Sequence, residues 1–127
     1  MAFADFTFPK VQYDLGLTVI EADLFPNVEP VTVGPEFQSH LDFGTKLALA
    51  INTEKARSEF IIAPVLMELK RLVGERLGIF SGVPLEGDVA RGLNGICDFL
   101  LTMSGRQLVV ERPLVAIVEA KNDNVFS

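Results

Sequence analysis

The stretch Leu114-Val115-Ala116-Ile117-Val118-Glu119-Ala120-Lys121 decides the fold. Five consecutive apolar residues, three of them β-branched, predict a strand covered on both faces, near the centre of a sheet. Glu119 and Lys121 end it. Side chains two apart on a strand share a face, roughly 6–7 Å apart along it, so these two are neighbours rather than a tight ion pair. Upstream, Gly95-Ile96-Cys97-Asp98-Phe99-Leu100-Leu101 sets a lone acid in a second apolar strand, read over residues 94–103. Twenty-one residues separate Asp98 from Glu119, enough for two adjacent antiparallel strands, and Ser104-Gly105-Arg106 between them is a turn signal. Paired in this way, two carboxylates and one ammonium meet at one sheet edge.

That meeting has a cost which names its remedy. A carboxylate in an apolar strand must be satisfied by a partner. Two like charges about 4 Å apart repel by roughly 4 kcal/mol at an effective dielectric of about 20. One lysine offsets part of this and a divalent cation offsets more; carboxylate oxygens with retained waters suit Mg²⁺, or Mn²⁺. A metal so held activates water and stabilises charge on a phosphodiester. Spelling alone carries little of this, because Glu68-Leu69-Lys70 repeats the Glu-x-Lys pattern on what reads as a solvated helix face. The strand end and the upstream acid distinguish the second copy.

Outward from these strands, residues 79–85 read as a further strand, and residues 53–77 as a helix. Ile61, Val65, Leu69 and Leu72 recur at helical spacing, widened by Ile62, Leu66 and Val73. Thr53 is the expected N-cap, Glu54 lies in the first turn, and Lys70, Arg71 and Arg76 lie near the end. Pro64 lacks a backbone donor and predicts a kink or a restart. Residues 3–33 read as short extended pieces, with Phe6, Phe8, Val11, Tyr13 and Leu15 as half-buried strand positions and Pro9, Pro26, Pro30 and Pro35 as breaks. The order helix, strand, strand, strand predicts an α/β sandwich.

With 127 residues, 49% hydrophobic and 22% charged, the chain is expected to form a single globular domain over 1–127 rather than a disordered segment. The longest apolar run, residues 60–67, is too short for a membrane span. The first residues lack the basic flank and apolar stretch of a secretory signal, and Cys97 stands alone, which excludes an internal disulfide; a cytoplasmic setting is expected. The net charge of −6 is uneven. Residues 1–44 hold seven acids and one base, whereas residues 45–127 hold ten of each. An acidic strand and loop extension over 1–44 therefore precedes an electrically neutral core over 45–127, which can still present a local basic face.

The Asp98 and Glu119-Ala120-Lys121 strands resemble the PD-(D/E)xK nuclease superfamily, the restriction-endonuclease-like fold, and are closest in flavour to uncharacterised bacterial members and to the nuclease domain of type I restriction subunits. The resemblance covers residues 53–123. It implies an α/β fold with a mixed sheet and a flanking helix, and a Mg²⁺-dependent nuclease acting on DNA, in which Asp98 and Glu119 bind metal and Lys121 assists catalysis. Many members add a glutamate from the first helix, a position that Glu59 in Ser58-Glu59-Phe60 resembles; Glu59 is then both a catalytic and a metal-binding candidate. Two features depart from the family. Cys97 stands where the proline that names the motif is usual. The family core runs αβββαβ, whereas this chain stops six residues after Lys121. The core is therefore expected to be incomplete at its C-terminus, because the sequence is part of a longer one or because a partner completes it. An uncovered central strand predicts a homo-oligomer, such as a dimer, or severe instability.

Plainer readings stand beside each of these. Asp98 can be a strand-end acid paired with Arg91 or Arg112, Glu119 with Lys121 a surface pair worth about 0–1 kcal/mol, and Glu59 an exposed helix acid. Glu54 and Asp88 are substitutes for Glu59. Cys97 alternates with Asp98 and is expected to face packed core. His40 lies in Gln38-Ser39-His40, read as a solvated loop, and Arg57, Arg71 and Arg76 are surface arginines able to meet a phosphate backbone. The rival functions are a non-catalytic interaction module of the same fold and a small α/β binding domain whose acids are structural.

Overall fold

The computed structural model describes residues 7–92 and 94–122. Its elements are α1 (Phe8–Asp14), α2 (Pro35–Ile51), α3 (Glu54–Arg57), a π-helical turn (Ser58–Ile62), α4 (Ala63–Val73), β1 (Gly78–Glu86), a 3-10 turn (Val89–Arg91), β2 (Asn94–Thr102) and β3 (Leu114–Val118). The chain is thus mixed α/β, with helices and a three-stranded antiparallel sheet in the order β1-β2-β3. The described strands show no parallel pair of the kind a mixed sheet requires. Two compact units are present: one takes residues up to Thr32 with Pro84–Gly95, the other takes Val33–Val83 with the residues from Ile96 onward.

In the smaller unit, the strand expected around Phe8, Val11, Tyr13 and Leu15 is a helix. Pro9 in the first turn pre-sets a helical φ, Val11 N–H bonds the Thr7 carbonyl at 2.8 Å, and Lys10 pairs with Asp14 at 3.0 Å. The apolar spacing of three, two and two suits either period, so local chemistry decides. Phe6 lies outside the described residues. Past α1, residues 17–32 hold no regular structure and leave Ile20, Leu24 and Phe25 exposed.

In the larger unit, α2 is a helix that starts at Pro35 and runs through residue 44, so the composition shift falls inside an element. His40 is on it, exposed, rather than in a loop. Gly44 lets α2 approach the π-helical turn, since a Cβ there would meet the Phe60 carbonyl. Thr53 caps α3, its hydroxyl accepting from Ala56 N–H at 3.0 Å. Pro64 sits in the first turn of α4, immediately after the π-helical turn, which is the expected restart. The row facing the sheet is Ile62, Leu66, Leu69 and Val73; Val65 and Leu72 lie outward. Leu66, Leu77, Phe99 and Leu101 form the core, closed by Ala116 and Val118 from β3.

The five apolar residues of β3 do not sit at the centre. Among the described strands β2 is central and β3 is an edge. Ala116 and Val118 face the core, whereas Val115 and Ile117 are 53% and 52% exposed. Among the described residues no helix is long and apolar enough to cross a membrane.

Candidate active site

The register of β2 and β3 pairs Phe99 with Val118, Leu100 with Ile117 and Leu101 with Ala116. One step beyond the first pair stand Asp98 and Glu119, and each takes over a main-chain donor of the opposite strand. Asp98 Oδ2 accepts from Ala120 N–H at 2.8 Å. Glu119 Oε1 accepts from Asp98 N–H at 3.3 Å. The two carboxylates thereby finish the ladder that the backbone leaves off at Val118. Ala120 is buried, so its donor needs this acceptor.

Glu119 is pushed above the usual carboxylate range. Partial desolvation of its carboxyl is the largest cause; the N–H bond from Asp98 opposes it, the negative charge of Asp98 and a hydrogen bond between the two carboxyl groups add to it, and the Lys121 ammonium works against it. Lys121 is exposed and makes no ion pair within 4.0 Å of Glu119 among the described residues, which is the expected neighbour relation. Cys97 is buried, and burial, followed by the charges of Glu119 and Asp98, raises its thiol pKa. It is a packed thiol whose surroundings favour the neutral form.

Glu59 stands on the π-helical turn, exposed, with its carboxylate held by Lys55 at 2.8 Å. It shares an open cavity of about 510 Å³ with Asp98, Glu54, Ser58 and Ser81. Among the described residues no group of three His, Cys, Asp or Glu side chains could hold a metal ion. The structure therefore brings Asp98 and Glu119 together as a pair and sets Glu59 on the same cavity as Asp98, tied to its own helix. Asp88 belongs to the smaller unit. Among the described residues of the larger unit, Asp98 meets the Ala120 main-chain N–H rather than Arg112.

The pair fits a divalent cation by its donor set. Asp98 and Glu119 stand as neighbouring carboxylates at one strand end, and two carboxylates are what Mg²⁺ commonly takes from protein when waters and phosphate supply the rest. Arg57, read from sequence as a surface arginine, is a residue whose role the spelling conceals: it bonds the Lys121 carbonyl and the Asn52 side chain, and no local pattern announces a partner sixty-four residues away. A scan against protein-family models and searches of curated proteins and of solved structures return no match to this chain.

Proposed function

We propose that this chain is a Mg²⁺-dependent phosphodiester hydrolase of the PD-(D/E)xK type, with a restriction-endonuclease-like core, acting on DNA in a reducing cytoplasm. The observation that carries the proposal is the cross-strand meeting of Asp98 and Glu119, each bonded to the other strand's backbone. Asp98 and Glu119 would hold the ion. When bound, it would lower the pKa of a water and offset charge on the phosphate. The chain's own residues do the remainder. The N–H bonds fix both carboxylates before any ligand arrives, which avoids an ordering cost at the moment of binding. Lys121 supplies a positive charge that already acts on Glu119 and that suits the charge developing on phosphate oxygens. Glu59 lines the cavity beside Asp98 and is available once Lys55 releases it. Val115 and Ile117, exposed on the edge strand, support self-association.

Calorimetric titration with Mg²⁺ or Mn²⁺ tests the site. Heat is expected for the wild type and none for Asp98→Ala; equal heats would remove the metal assignment. Nicking of supercoiled plasmid is expected to be lost in Lys121→Ala. A second reading has its own support: both acids already satisfy backbone donors, as structural acids in a binding domain would. Metal binding without cleavage of any nucleic acid favours a non-catalytic module of the same fold, and absence of metal binding favours structural acids.

A further inference from the structure

The β2–β3 ladder stops at the Phe99–Val118 pair, yet the proposed site needs the three residues that follow Val118. Among the described residues, two side-chain bonds to the backbone hold this continuation. One is the bond from Ala120 N–H to Asp98 Oδ2. The other comes from Arg57, whose Nη1 donates to the Lys121 carbonyl at 3.4 Å. Its Nη2 donates to Asn52 Oδ1 at 2.8 Å. Asn52 is itself a fixed point: it ends α2 in the left-handed region at φ 58° and its N–H bonds the Ala48 carbonyl at 2.8 Å. One planar guanidinium thus links the end of α2, the last residue of α3 and the main chain of Lys121. A fork of fixed geometry holds two acceptors at a set separation, which a flexible ammonium cannot do.

We propose that Arg57 is the positioning residue of the site, clamping the Lys121 carbonyl so that the Lys121 ammonium and the Glu119 carboxylate issue from a fixed backbone; its catalytic half rests on the nuclease reading above. Glu119 lies between the end of the ladder and this clamp, and Ala120 between Glu119 and Lys121. The clamp on Lys121 O and the acceptor on Ala120 N–H act on consecutive residues, so loss of one weakens the other. Arg57 also stands two residues before Glu59, which brings the helix that carries Glu59 and the strand end that carries Lys121 under one restraint.

The test reads hydrogen exchange at individual amides, which needs no activity. In Arg57→Ala the Ala120 amide is expected to exchange at least tenfold faster, while the amides of Leu100 and Leu101 keep their rates. Asn52→Gly removes only the second acceptor and keeps a residue suited to positive φ; it is expected to fold as the wild type and to raise exchange at Ala120 by a smaller factor. In plasmid nicking, Arg57→Ala is expected to lower kcat about tenfold with KM unchanged, Arg57→Lys to recover part of that loss, and Mg²⁺ affinity by calorimetry to stay within about twofold. Unchanged exchange at Ala120 overturns the positioning role. So does a rise spread evenly over the ladder with kcat per folded molecule intact, which marks a merely structural arginine. A wild-type chain that cleaves nothing sinks the nuclease reading and the catalytic half of this proposal with it, whereas the exchange result still decides whether Arg57 holds the strand end.

Discussion

Strands β2 and β3 are both rich in apolar residues and hydrogen-bonded to each other, yet they are buried to different extents. Leu100 and Leu101 of β2 are 0% and 4% exposed, while Val115 and Ile117 of β3 stay half in solvent. An uninterrupted apolar run reports that a strand can be covered, not that it is. Position in the sheet comes from which elements pack on it, and α4 reaches only the face of β3 that carries Ala116 and Val118. The comparison is sharpest in a pair of truncations. Leu101→Ala is expected to cost about 2–5 kcal/mol, through lost burial and a cavity, read as a fall in the urea midpoint. Ile117→Ala is expected to cost about 0.5 kcal/mol or less. Equal losses would mean that a second molecule covers β3 in solution, and dilution would then lower the wild-type midpoint.

Crowding distinguishes the strands next. Gly78 at the start of β1 lies so close to β2 that a Cβ would meet Thr102 Oγ1 and the Ser104 carbonyl oxygen at 2.7 Å. Thr102 is fully buried and cannot yield. Gly78→Ala is expected to destabilise by about 1–3 kcal/mol, whereas Val115→Thr on the outward face of β3 is expected to leave the midpoint within experimental error. A tolerated Gly78→Ala would show that the β1 end adjusts more freely than its packing implies.

What was legible in the sequence follows the range of the forces involved. The helix that starts at Thr53 was readable because the Thr53 cap, the apolar rows and Pro64 are local features, but it ends at Val73, with Gly74 at a φ of 86° as its cap, and not at residue 77, so Arg76 lies beyond it; which row faces inward was not readable, since that depends on the sheet beneath it. The pairing of Asp98 with Glu119 was readable because two apolar strands and a turn leave few registers. The reciprocal bonds that those acids make to Ala120 and Asp98 N–H were not, because they depend on where the ladder stops. Helix α2 lay outside that reading: its acids and its glycine at residue 44 interrupt an amphipathic row that runs from half-buried Phe37 and Leu41 to small Gly44 and Ala48. The Lys55–Glu59 pair is an ordinary i,i+4 contact that the family resemblance led past.

The two acids offer a finer contrast within the same pair of strands. Asp98 accepts the buried Ala120 N–H, so Asp98→Ala leaves a donor unsatisfied and is expected to cost about 1–3 kcal/mol. In Glu119→Gln the amide oxygen can still accept from Asp98 N–H, and a smaller loss is expected. Reversal of that order in chemical denaturation would show that the burden of closing the ladder lies on β3 rather than on β2.

The smallest effect is a slope with pH, and its sign is fixed by Glu119. The folded state raises the pKa of this carboxyl above its unfolded value, through desolvation and the charge of Asp98. The folded chain therefore holds the proton more tightly, and the stability this contributes is present below the unfolded pKa and lost as pH rises through the folded one. Without metal, the difference in urea midpoint between wild type and Glu119→Gln is expected to move against the wild type as pH rises from about 4 to about 7. The glutamine variant lacks this titration, so the difference reports the Asp98–Glu119 pair apart from the more distant carboxylates. A cation on Asp98 and Glu119 favours the charged form, and adding Mg²⁺ is expected to flatten or invert the trend for the wild type alone. A trend unchanged by Mg²⁺ would leave the two acids as a strand-end clasp, compensated by the main-chain donors they accept from, by solvent and by Lys121.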